Sequence, residues 1–114
     1  MNDCIFCQIA AGIIPAAKIY EDAELIAFND LNPQAPVHFL VIPKKHINNL
    51  MEAEHTDIHI LGKLLYTAQT LAVQLGCEQK GARFVINCKD DGGQTVNHLH
   101  IHVLAGRALA WPPG

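Results

Sequence analysis

Polar and apolar residues alternate without a break through His98-Leu99-His100-Ile101-His102-Val103. Side chains on an extended strand point to opposite faces in turn. This segment therefore puts three imidazoles on one face and Leu99, Ile101 and Val103 on the other. The apolar face needs a covering layer, whereas a row of imidazoles is poor packing material. The pattern predicts a sheet with one buried face and one face that carries chemistry. Near neutral pH, imidazole is a nucleophile, an acid, a base and a ligand, which points to phosphorus chemistry, proton transfer or metal binding.

The rest of the chain can supply that sheet. Lys18 to Glu21 and Leu25 to Asp30 read as strands joined by a tight turn at Asp22-Ala23. Val37 to Ile42 is a third strand, stopped by Pro43. Arg83 to Cys88 is a fourth, and the histidine strand runs from about Asn97 to Leu104. A short helix is expected over Cys4 to Ala11, capped by Asn2 or Asp3 and ended by Gly12 and Pro15. A long helix is expected from Thr56 to Leu75, with Thr56 as its cap and Gly76 closing it. Its apolar stripe is Ile58, Leu61, Leu65, Ala68, Leu71 or Ala72, and Leu75. Gly62 inside it should cost about 1 kcal/mol relative to alanine, which close approach of another backbone would offset. Short links between strands favour antiparallel pairing. The expectation is one α+β domain over residues 1–114, with a tail at 107–114. Its five-stranded, mainly antiparallel sheet carries its helices on one face.

Half the residues are hydrophobic and 17% are charged, enough for a packed core and against disorder. A net charge of -3 argues against a broad grip on nucleic acid. No apolar run approaches the roughly 20 residues of a membrane span. Met1-Asn2-Asp3 does not begin a secretory leader. Cys4, Cys7, Cys77 and Cys88 are read as reduced thiols of a cytoplasmic protein.

Three groups of residues are candidates for chemistry. The Gly-Gly pair in the loop Asp91-Gly92-Gly93-Gln94-Thr95 alone favours an ordinary hairpin loop, but the loop leads straight into the histidines, where its N–H groups and the Thr95 hydroxyl can face a phosphate. Phe28 and Asp30 share a strand face with Ile26. They suit a nucleobase and ribose hydroxyls, or simply a core ring and a strand-ending carboxylate. Cys4, Cys7, His46 and His98 make a suitable tetrahedral zinc set, with packed thiols or a redox pair as alternatives. His55 and His59 lie four apart on a helix, but Thr56 stands where the zinc-protease pattern needs glutamate, so they read as solvated.

The histidine segment resembles the H-φ-H-φ-H-φ signature of the histidine-triad (HIT) family, where φ is apolar. The likeness extends through Asp30-Leu31-Asn32-Pro33-Gln34-Ala35-Pro36-Val37-His38, Val41-Ile42-Pro43-Lys44-Lys45-His46-Ile47, Asn87 through Thr95, and the tail Trp111-Pro112-Pro113-Gly114. These stretches resemble the Hint branch, the histidine-triad nucleotide-binding proteins. The resemblance implies a homodimer with one continuous sheet. It also implies hydrolysis of purine nucleoside 5′-phosphoramidates, through a nucleotidyl-histidine intermediate and with no metal required at phosphorus.

Under this resemblance His100 is the nucleophile, His102 holds the phosphate, and His98 and His38 form the hydrogen-bond network behind them. Asn87, Gly93, Gln94, Thr95 and Val96 line the phosphate site. Asp30 holds the ribose, while Ile5, Phe6, Ile9, Phe28 and Leu31 line the base pocket. Trp111 in the tail reaches the partner's site. In zinc-bearing members the counterparts of Cys4, Cys7, His46 and His98 bind a structural metal. Asn97 is a departure, since relatives often carry a bulkier residue there. Two rival readings are a zinc-dependent hydrolase using His38 as third ligand and a nucleotide-binding regulator or scaffold.

Overall fold

The computed structural model describes residues 3–114. Its elements are α1 (Ile5–Ala10), β1 (Lys18–Glu21), β2 (Leu25–Asn29), β3 (Val37–Pro43), α2 (Ile58–Gln74), β4 (Arg83–Val85), α3 (Lys89–Gly92) and β5 (Ile101–Ala105). The strands form one sheet in the order β1-β2-β3-β5-β4, and every neighbouring pair is antiparallel. The chain leaves β3, crosses by α2 to the β4 edge, and inserts β5 between them.

Alternation sorts the sheet into two faces. Leu25, Ala27, Phe39, Val41, Leu99, Ile101 and Val103 pack in one core with Leu64, Ala68, Leu71 and Ala72 of α2. On the other face Ile26, Phe28, Leu40 and Ile42 pack with Phe6 of α1. The helices therefore lie on opposite faces, not on one as expected. Six residues of α1 are too short a pattern to show which face they cover.

The histidine segment keeps its alternation, but its hydrogen-bonded ladder starts at Ile101, not near Asn97. Val41 pairs with Ile101, and two residues on β3 reaches Pro43, which has no N–H to give. Leu99 N–H instead donates to the Ile47 carbonyl at 2.7 Å. The expected strand from Arg83 to Cys88 likewise pairs only to Val85, and a helical turn occupies part of the expected 91–95 loop.

On α2 the buried line is Leu64, Thr67, Ala68, Leu71 and Ala72. Ile58, Leu65 and Leu75 from the expected stripe are exposed. Thr56 is not the cap: it lies inside a 3-10 turn, His55–Asp57, closed by reciprocal bonds between Glu54 and Asp57. Gly76 does close the helix. At φ +83 its N–H bonds Val73 O and the Cys77 N–H bonds Ala72 O, a Schellman ending. Gly62 is exposed, and among the described residues no atom lies within 4 Å of where its Cβ would be, so none of them makes the expected close approach. Cys4, not Asp3, caps α1; Asn2 lies outside the described residues. No helix among the described residues is long and apolar enough to cross a membrane.

Candidate active site

The three imidazoles sit in three different environments. His98 is fully buried. Its Nε2 lies 2.7 Å from the Pro43 carbonyl oxygen, an acceptor, so Nε2 carries the proton. The Nδ1 lone pair then faces Cys4 Sγ at 3.3 Å and Cys7 Sγ at 3.5 Å. His46 repeats the arrangement. Its Nε2 donates to Asn48 Oδ1 at 2.7 Å, and its Nδ1 lies 3.2 Å from Cys7 Sγ. The Asn48 amide is itself oriented, because its nitrogen donates to Glu52.

The donor atoms of Cys4, Cys7, His46 and His98 all lie within 4.8 Å of one another. Tetrahedral zinc with two thiolates and two imidazoles sets neighbouring ligand atoms about 3.3–3.8 Å apart. The spacing, the donor chemistry and the outer acceptors that turn both Nδ1 lone pairs inward all fit zinc. Burial pushes the His98 pKa down to about 4, which keeps the ring neutral, as a ligand must be.

His100 is held by the backbone of His98. Its Nδ1 donates to the His98 carbonyl at 2.7 Å, leaving the lone pair on Nε2. Burial lowers its pKa and keeps the ring neutral. The Phe6 ring meets it edge to face at 5.1 Å, and only 3% of the residue is exposed.

His102 is half-buried. Its Nδ1 lies 2.9 Å from His38 Nε2. The Gln34 N–H donates to His38 Nδ1 at 3.0 Å, which puts the His38 proton on Nε2 and makes it the donor to His102. The proton of neutral His102 therefore sits on Nε2. Its pKa is pushed down to about 4, first by burial and then by His100 and His38. Asp30 Oδ2 lies 3.4 Å from His38 Nε2, while Oδ1 accepts the Asn32 N–H. Asp30, His38 and His102 could also group around a metal, but both His38 nitrogens already have partners inside the protein.

The loop before the triad is more self-engaged than its glycines suggest. The N–H groups of Gly93 and Gln94 bond Asp90 O and Lys89 O, so they are not turned toward an anion. The Gln94 side chain accepts from Lys89 N–H and donates to Asn48 O and Val96 O, bracing the loop. Among the described residues, the Thr95 N–H and hydroxyl, the Val96 N–H and the Asn87 amide have no hydrogen-bond partner in the chain, so they remain available to a ligand.

Phe6 and Phe28 pack edge to face at 5.6 Å, and both are buried, with Ile9 and Val96 against their cluster. Phe28 is thus a core ring as well as a candidate lining residue. Ile5 is exposed, and Leu31 and Trp111 stand 94% and 80% exposed. His55 and His59 are on the surface as expected, with His59 Nε2 3.2 Å from Glu24.

The HIT domain model matches residues 11–109, nearly the whole chain. This chain belongs to the HIT domain family. It is 54% identical over 113 residues to an uncharacterized HIT-like protein of Synechococcus elongatus, covering 99% of this chain and 98% of that one. It is 46% identical to a 14 kDa zinc-binding protein of Brassica juncea, covering 98% and 100%. The crystal structure of a HIT family hydrolase from Legionella pneumophila superposes with a TM-score of 0.96 at 46% identity, covering 98% and 100%.

Within this HIT fold the sequence reading missed the supporting residues. The Pro43 carbonyl, the Asn48 amide and the Gln34 N–H fix three imidazole tautomers. Only Asn48, two residues after a candidate ligand, carried a usable signal, since metal-binding imidazoles need an outer acceptor.

Proposed function

We propose that this HIT protein hydrolyses purine nucleoside 5′-phosphoramidates to a nucleoside monophosphate and an amine, through a nucleotidyl-histidine formed on His100. The observation that carries this reading is the bond from His100 Nδ1 to the His98 carbonyl, which leaves Nε2 as an unprotonated nucleophile in a ring kept neutral by burial.

The His100 Nε2 lone pair attacks the α-phosphorus, and the P–N bond to the amine breaks. The bond's electron pair stays on the amine nitrogen, which takes a proton from the Thr95 hydroxyl or a neighbouring imidazole. The Nε2–H of His102 and the free Thr95 donors stabilise charge on the non-bridging oxygens. Water then attacks the phosphorus and gives a proton back to the group that protonated the amine, and the bond to His100 breaks with its electron pair returning to Nε2. In this reading Asp30 accepts from ribose hydroxyls, and the edge of the Phe6–Phe28 cluster receives the base.

Cys4, Cys7, His46 and His98 would hold zinc, as the zinc-binding relative's name supports. Its chemistry there is structural, tying α1 to the triad. We further propose a homodimer. Ile58, Gly62, Leu65, Tyr66 and Val73 are exposed along α2, and Val73 lines a surface cavity together with Phe84, which is exposed on the edge strand β4. A second copy covering these residues would account for Gly62, and would give Trp111 a partner to reach. Sedimentation equilibrium should give twice the chain mass for wild type and a monomer for Leu65→Asp.

The deciding experiment is incubation with adenosine 5′-monophosphoramidate, a rapid quench in denaturant at alkaline pH, where a phosphorus–imidazole bond survives, and mass spectrometry of the protein. Wild type should carry an adenylyl adduct on His100 and release AMP. Absence of both cleavage and adduct refutes the reading. Chelation separates the metal-hydrolase alternative, which requires activity to fall before stability does.

A further inference from the structure

After β5 the chain turns back onto the loop that carries Asp30 and leads to His38. Arg107 Nε donates to the Gln34 carbonyl at 3.0 Å, and its Nη1 donates to the Ala108 carbonyl at 3.0 Å, which holds the guanidinium across the turn. The preceding Gly106 sits at φ +93. A Cβ there would come within 2.8 Å of Pro36 Cβ, so this backbone is pressed directly on the loop. From the same Gln34, the N–H donates to His38 Nδ1 and the side-chain amide donates to the Asn32 carbonyl at 2.9 Å. The Asn32 N–H in turn donates to Asp30 Oδ1 at 2.8 Å.

We propose that Arg107 is a positioning residue for the site, acting through Gln34 on both His38 and Asp30. The carbonyl it holds and the N–H that bonds His38 flank one α-carbon. Fixing the first restricts the direction of the second. That N–H keeps the His38 proton on Nε2, where it donates to His102. Through Asn32 the same loop sets the rotamer of the Asp30 carboxylate. Arg107 is exposed, and its hydrogen bonds go to the Gln34 and Ala108 carbonyls and to none of Cys4, Cys7, His46 or His98. Among the described residues, no other side chain bonds the Gln34 carbonyl.

Two substitutions separate positioning from bulk. Arg107→Met keeps the length of the stem and removes the donor. Arg107→Gln puts an amide N–H where Nε stood. The primary readout is the 15N spectrum of the His38 ring, which distinguishes a proton on Nε2 from one on Nδ1. The second is AMP affinity, and the third is turnover of the phosphoramidate. Only the third rests on the proposed reaction.

Arg107→Met should mix the His38 tautomers, weaken AMP about fivefold and slow turnover by a similar factor, the size of one lost hydrogen bond. Arg107→Gln should recover most of each, and both variants should melt near wild type. A wild-type His38 spectrum in Arg107→Met overturns the proposal, and so does equal disturbance in the two variants. If wild type itself cleaves no phosphoramidate while the His38 spectrum responds as stated, the reaction reading falls and the positioning role stands.

Discussion

His98 and His102 are the same residue type, four apart on one side of one segment, yet they have opposite duties. Both nitrogens of His98 are engaged by the protein, one by the Pro43 carbonyl and one by the thiols, and the residue is sealed from solvent. His102 has one nitrogen held by His38 and the other turned toward the open side. The difference lies in what each ring touches next, not in the imidazole. His100 stands between them and borrows the backbone of His98 for its own orientation. One end of the row is therefore locked by the protein, and the other keeps a ring nitrogen without a partner among the described residues.

The comparison breaks most visibly at His100. His100→Ala should cut phosphoramidate turnover by on the order of a thousandfold or more, with AMP binding and zinc content retained. Retained turnover would show that the reacting end has been misplaced. At the fixed end, zinc removal should lower Tm by on the order of 10 °C, the size of losing a ligand well above its Kd. His102→Ala should leave the metal in place. Atomic absorption and calorimetry on both proteins check this, and a His102→Ala protein without zinc would merge the two ends.

A smaller effect is expected behind the reacting end. His38→Ala removes the donor to His102 Nδ1 and should slow turnover about ten- to a hundredfold, with no change in metal content.

The smallest effect is in pH. Burial puts His98 and His102 at about 4, below the ordinary 6.5 of an unfolded imidazole. Between those values the unfolded chain binds more protons, so stability is complete above pH 6.5 and declines as pH falls toward 4. Calorimetry across that window should show a shallower decline in His102→Asn, and the same slope in both proteins would remove His102 from the account.

Much of the fold was legible because alternation is a strong signal where one face is buried. Leu99, Ile101 and Val103 are in the core as read, and the three strands before α2 fall within a residue of their expected bounds. On α2 the signal was ambiguous. Leu64 and Leu65 are adjacent and equally apolar, so periodicity alone chose the exposed one. The grouping of Cys4, Cys7, His46 and His98 was legible from residue types. Its outer acceptors were not, because Pro43 contributes a carbonyl that any residue would offer. The loop was misread for a related reason: glycines permit an anion nest, but Gly93 and Gln94 direct their N–H groups back into a helical turn. Arg107 was invisible, since its target is the backbone of a residue 73 positions away.

The contact between Cys4 and His98 spans 94 positions of sequence. Synthesis makes the two thiols and His46 in the first half of the chain, whereas His98 brings both the last donor of the cluster and the carbonyl that aims His100, near the far end. Neither the four-donor cluster nor the orientation of His100 can therefore exist on a nascent chain before this one residue has been added.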